Sequence, residues 1–311
     1  MIDTSTKRNR SGRRNKINNS NWQFWAIIAV PVLYAFVFAY IPMGGILLAF
    51  KDYSFRKGIL GSDWVGLTYI KQFLTSPSSK TVILNTLALG VYSLVVLFPI
   101  PIFLAIGLNE IKCVRYKKFI QMITYAPYFI STVVLVGMMM QIMDLRSGIL
   151  NLLLQKIGVK PINFFGEESL FRSVYVWSGL WQTAGYSAVL YIASLAGVNP
   201  ELKEAAICDG ASRLQRIHHV DIPSIMPTII TMLIFNCGSV MSIGFDKAYL
   251  MQNSLNAGKS EVIATFVYKV GLMNSDFGFA TAAGLFQSVI SFSLLVIVNW
   301  ICKKVTQTSL W

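Results

Sequence analysis

Apolar residues in this chain gather into six long runs, at about residues 24–45, 82–108, 119–143, 172–196, 226–245 and 280–301, separated by shorter polar stretches. A bilayer core about 30 Å thick takes roughly 20 residues of helix, and the runs approach or exceed that length. Lipid offers no partner for backbone N–H and C=O groups, so a spanning segment must be a helix or a strand of a closed barrel. Barrel strands need only about ten residues, far fewer than these runs. The pattern therefore predicts an all-α membrane protein with six transmembrane helices. Prolines interrupt several of them: Pro31 and Pro42 in the first, Pro99 and Pro101 in the second, Pro127 in the third and Pro227 at the start of the fifth. Such breaks either fit packing or allow bending during a working cycle, since neighbouring helices and water can satisfy the freed carbonyls.

Composition agrees with lipid as the main solvent. Apolar residues make up 54% of the 311-residue chain and charged ones 13%, which leaves too little polar surface for a soluble domain of this size. The formal net charge of +13 raises nucleic acid as a partner. Its densest cluster, Lys7, Arg8, Arg10, Arg13, Arg14 and Lys16, directly precedes the first apolar run, and that placement points to anionic membrane lipids on the cytoplasmic side instead. Six crossings put both termini on one side. The basic arm over residues 1–23 and Lys303–Lys304 after the last run make that side the cytoplasm, so the expected topology is N-in/C-in. Lys112, Arg115, Lys117 and Lys118 in the next inner loop agree; the five basic residues between Lys51 and Lys80 dissent. The expected organisation is the arm, a six-helix domain over 24–302 with an inner loop at 198–225, and a tail at 303–311. Cys113, Cys208, Cys237 and Cys302 have no paired metal-ligand spacing, and the topology gives no reason for a disulfide.

The loop between the fourth and fifth runs is chemically unlike the rest. Asn199 can cap a helix that has Pro200 at its first position and Glu201 beside it, where an absent N–H costs nothing and the helix dipole favours an acid. Ala205 and Ala206 let another surface come close to the backbone, and Glu204 offers a charge to a basic partner. Gly210 permits a sharp redirection. Pro223 and Pro227 close the loop and begin the fifth helix, so a push on this knob passes into the membrane.

In these residues the chain resembles the integral-membrane permeases of bacterial ATP-binding-cassette importers. Their signature is Glu-Ala-Ala, three residues, Gly, nine residues, Ile, one residue, Leu-Pro. Here it reads Glu204-Ala205-Ala206, Gly210, Val220, Ile222-Pro223, with the spacing kept and two aliphatic exchanges. Asp209-Gly210-Ala211 looks like the carbohydrate-uptake, maltose-type branch. Tyr125–Ser131, Gly244–Lys247 with Gln252-Asn253, and Val267–Leu272 are similar to polysaccharide and oligosaccharide permeases of Gram-positive bacteria. The resemblance implies the type I importer permease fold in the plasma membrane and a second, usually different, permease subunit. It also implies two ATP-binding-cassette ATPase subunits and an extracellular sugar-binding lipoprotein. ATP and magnesium would belong to the ATPase, with no cofactor on this chain. Glu204, Ala205, Ala206, Asp209, Gly210 and Pro223 are then the ATPase-docking residues.

Sugars are held by aromatic faces and hydrogen-bonding side chains, and polar groups inside a membrane are costly. Candidates for the substrate path are Asn85, Tyr92, Trp181, Gln182, Tyr186, Asn236, Phe245, Asp246 and Gln287, with Gln141, Tyr191 and Asn299 further possibilities. Each has a plain alternative, because membrane helices use amides to bind one another and aromatics as interface anchors. Asp246, at the expected outer end of the fifth helix, either bonds sugar hydroxyls or neutralises Lys247. Gly258-Lys259-Ser260 lacks the earlier glycine of a phosphate loop. His218 and His219 have no acidic or thiol partners at ligand spacing, and no catalytic constellation is visible. A secondary carrier would need intramembrane acids that the runs almost entirely lack.

Overall fold

The computed structural model describes residues 22–306, 309 and 310; nearly all of the basic arm, and the anchoring expected of it, lies outside the described residues. Ten helices carry the argument: α1 (Phe24–Phe50), α2 (Pro77–Asn109), α3 (Val114–Phe129), α4 (Thr132–Ile142), α5 (Glu168–Ala196), α6 (Pro200–Cys208), α7 (Arg213–Gly238), α8 (Phe245–Met251), α9 (Ile263–Met273) and α10 (Phe277–Thr306). A two-residue antiparallel ribbon, Lys51–Asp52 against Asp63–Trp64, is the one sheet among the described residues.

Four helices, α1, α2, α7 and α10, are long and apolar enough to cross a membrane, and α3 with α4 makes a fifth if the pair counts as one bent span. The run at 119–143 is therefore not the continuous helix expected: the chain bends by 99° between α3 and α4. Pro127 starts a tight 3-10 turn at Ala126–Phe129, Ile130 is extended, and Ser131 caps α4 by accepting from the Val134 N–H at 3.4 Å. Helix α5 holds the bend. Gln182 Nε2 donates to the freed Ile130 carbonyl at 2.8 Å, and Tyr186 stacks on Tyr128 with ring centroids 3.8 Å apart. Gly185 lies against the Thr124 carbonyl, where any Cβ would collide.

At 29 residues α5 is about 43 Å long, enough to span. It is less apolar than the other runs because it is the central helix, packed along α2, α3 and α7, so its polar groups meet protein and not lipid. Phe171, Val174 and Val176 of α5 are buried with Leu89 of α2, Leu135 of α4 and Met251 of α8. A second cluster joins Ala105 of α2, Tyr191 and Leu195 of α5 and Ile225 of α7. In a bilayer such clusters stabilise through close packing, since lipid tails are as apolar as leucine. Helix α1 is peripheral: its residues up to Met43 are exposed, and only the Gly44–Phe50 stretch packs on α10.

Two prolines leave the same mark. A π-helical turn at Phe36–Tyr40 precedes Pro42, and another at Ile217–Asp221 precedes Pro223. Each proline ring would strike the carbonyl four residues earlier, at Phe38 and His219, the midpoint of each π turn, and the wider turn makes the room. This corrects the fifth helix. Instead of starting at about residue 226, it begins at Arg213 inside the loop, carries Pro227 within it and ends at Gly238, not 245.

Candidate functional site

The loop between α5 and α7 is a rigid elbow. Asn199 Oδ1 accepts from the Glu201 N–H at 3.0 Å, with Pro200 at the first helical position, so the cap and the start of α6 are as the residues predict. At the far end Gly210 takes φ +77°; its N–H bonds the Ile207 carbonyl at 3.0 Å and the Ala211 N–H the Ala206 carbonyl at 2.9 Å. That paired pattern is a Schellman stop, which needs the left-handed glycine. Ser212 and Gln215 then form a capping box, and α7 starts at once.

A contact that the sequence reading missed braces this elbow. Lys203 Nζ of α6 meets Asp221 Oδ1 of α7 at 2.9 Å, and the Asp221 side chain is only 2% exposed. Eighteen positions separate the two, and no local periodicity flags them. Glu204 and Ala205 face outward and Ala206 is half-buried, in company with exposed Leu202, Ile207 and Leu214. Exposed leucines in a polar loop were the available signal for an apolar contact surface around Glu204. Asp209, Gly210, Ala206 and Val220 line a cleft of about 280 Å³ in the crook of the elbow, and Pro223 is exposed on α7.

The path candidates divide. Tyr186 and Asn236 are brought together with Thr183, Ser187, Leu97 and Met232 around a cavity of about 330 Å³ between α2, α5 and α7. Leu97 and Asn236 also line a neighbouring cavity of about 220 Å³ with Ser93, Tyr175, Ser239 and Ser242, so the two adjoin as a groove with hydroxyl and amide groups set in a largely apolar wall. Others serve the fold. Asn85 is buried, donating to the Gly258 and Glu261 carbonyls at 2.9 and 3.1 Å and accepting from Arg172 at 3.0 Å. Gln182 holds the α3–α4 bend. Asn299 accepts from the Leu310 N–H at 2.9 Å, and Tyr191 is in the core. Tyr92 accepts from Trp177 Nε1 at 3.1 Å; Trp181 and Gln141 are exposed and Gln287 is half-buried.

Phe245 and Asp246 begin the separate helix α8 and do not end the fifth helix. The Asp246–Lys247 pair is not formed: Asp246 is exposed, while Lys247 turns inward and donates to the Tyr175 carbonyl at 2.9 Å. Phe245 stacks on Tyr249 and edges a groove of about 700 Å³ between α1, α9 and α10, lined by Ile46, Val267, Leu272 and Leu285. That wall is apolar and suits an acyl chain or another helix better than a sugar.

A multi-helix membrane bundle with a capped, ion-paired elbow leading into one spanning helix is the architecture of a transport subunit. Residues 98–307 match the binding-protein-dependent transport system inner membrane components, and this chain belongs to that family. It is 38% identical over 272 residues to the polygalacturonan/rhamnogalacturonan transport system permease protein YteP of Bacillus subtilis (strain 168), covering 88% of this chain and 85% of that one. A solved bacterial ABC transporter involved in the import of the acidic polysaccharide alginate has a chain that superposes with a TM-score of 0.85 at 31% identity, covering 92% of this chain and 96% of that one. A chain of a bacterial alginate ABC transporter solved in complex with an alginate pentasaccharide-bound periplasmic protein gives 0.86 at 31% identity, over 93% and 97%. The chain is a membrane-embedded permease subunit of an ABC importer.

Proposed function

We propose that this permease carries oligosaccharides into the cell by alternating access, driven by ATPase subunits that dock on the α6 elbow. In this reading the chain crosses the membrane six times, with α5 as the fourth crossing and both termini in the cytoplasm. It pairs with a second permease that closes the path, binds two ATPases, and receives substrate from an extracellular sugar-binding lipoprotein. Glu204 pairs with a basic residue of the ATPase. Ala205, Ala206 and Gly210 provide close approach, and the groove with Tyr186 and Asn236 lines the path.

The observation that carries this reading is the Lys203–Asp221 brace beneath an outward-facing Glu204, because a braced knob transmits force and a slack loop absorbs it. The test is Glu204→Lys in cells. The variant is expected to reach the membrane in normal amount yet lose oligosaccharide uptake, and wild-type uptake would rule the docking role out. Cys208 is exposed on the same helix and reports its side directly. Thiol reagents should reach it from the cytoplasm, and labelling solely from outside intact cells ends the proposal.

A further inference from the structure

We propose that Lys247 forms a cationic subsite that takes the carboxylate of an acidic sugar residue passing through the groove between α2, α5 and α7. This rests on the oligosaccharide reading and gives it a substrate class. The Lys247 side chain is 9% exposed on α8, and its ammonium has one oxygen partner, the Tyr175 carbonyl, with the Tyr175 ring centroid 4.7 Å away. A carbonyl and an aromatic face attract a cation but leave its charge unneutralised, and at low dielectric an uncompensated charge is costly.

No carboxylate in the described residues relieves that cost. Lys247 takes no part in the ion pairs Lys57–Asp63, Lys203–Asp221 and Lys269–Glu261. Tyr175 and Gly179 follow one another at i and i+4, so they share a face of α5. The bare Cα of Gly179 leaves the space the ammonium occupies, since a Cβ there would stand 3.2 Å from Nζ. Tyr175 and Leu97, which flank Nζ, both line the groove.

A buried cation without an acid partner, packed against residues that line the groove, calls for an anion. Hydroxyls of a neutral sugar match Asn236 and the serines but do nothing for the charge. A carboxylate does, accepting the N–H bonds of Lys247 that Tyr175 leaves unused.

The experiment uses the intact importer with its partner subunits in proteoliposomes, and two probes, a galacturonate trisaccharide and its methyl ester. The binding protein contributes its own preference, but that is the same for every variant, so the acid-to-ester uptake ratio isolates the permease. K247Q is expected to lower the ratio about tenfold, the effect of losing one charged hydrogen bond, and K247R to keep most of it. An unchanged ratio in K247Q overturns the proposal, as does a collapsed ratio in a K247R protein that inserts normally. If the wild-type importer takes up neither trisaccharide, or takes up both while K247Q leaves the ratio alone, the acidic subsite falls, whereas the oligosaccharide reading falls only if neutral oligosaccharides are refused as well.

Discussion

The elbow at α6 and the groove between α2, α5 and α7 are built by opposite routes. Every part of the elbow comes from one stretch of chain: the Asn199 cap, the Gly210 stop, the Ser212–Gln215 box and the Lys203–Asp221 pair all fall within residues 199–221. The groove draws Ser93, Tyr186 and Asn236 from three helices far apart in sequence. In the proposed function the elbow transmits force, and such a part is best made locally, where capping and backbone bonds keep it stiff whatever the bundle does. A path that must open and close is best placed between helices that can shift against one another.

Substitutions should separate the two regions. The largest effect is expected from Glu204→Lys, with uptake lost by about a hundredfold or more while the protein stays inserted, since a like charge replaces an attraction at a desolvated contact. Asp221→Leu strands Lys203 beside a partly buried site and should loosen the elbow by about 3 kcal/mol, read as faster amide exchange over residues 200–221. The double variant with Lys203→Met should recover much of that loss, and failure to recover would show that the pair acts other than as a brace. Gly210→Ala keeps the composition but imposes a Cβ at φ +77°, for about 1–2 kcal/mol and a partial drop in uptake per ATP hydrolysed. Smallest is Asn236→Leu, expected to raise the KM for uptake about fivefold with ATPase coupling intact. If Asn236→Leu uncouples hydrolysis, or Asp221→Leu alters only KM, the division between the regions is wrong.

How far each region could be read from sequence follows from how it is made. The cap at Asn199, the role of Pro200 and the left-handed Gly210 were legible because each depends on residues within one turn. The fifth helix was misplaced because Pro227 looked like a start signal, whereas a π turn at Ile217–Asp221 absorbs Pro223 and lets the helix begin at Arg213. Among the polar candidates, Asn85 and Gln182 looked identical in kind to Asn236. Only their partners, the Gly258 and Glu261 carbonyls for one and the Ile130 carbonyl for the other, separate structural amides from one that lines open space.

The apolar runs by themselves determined a helical membrane protein, because lipid forces internal hydrogen bonding, and the elbow's caps were legible because they act over a few residues; the importer-permease type came from the resemblance of Glu204–Pro223 to that family's signature. Tertiary structure decided the 99° bend at α3–α4, the inward turn of Lys247 away from Asp246, and which side chains share the groove. Those depend on contacts between helices, and a helix reveals in its own sequence that it has a polar face but not what that face will meet.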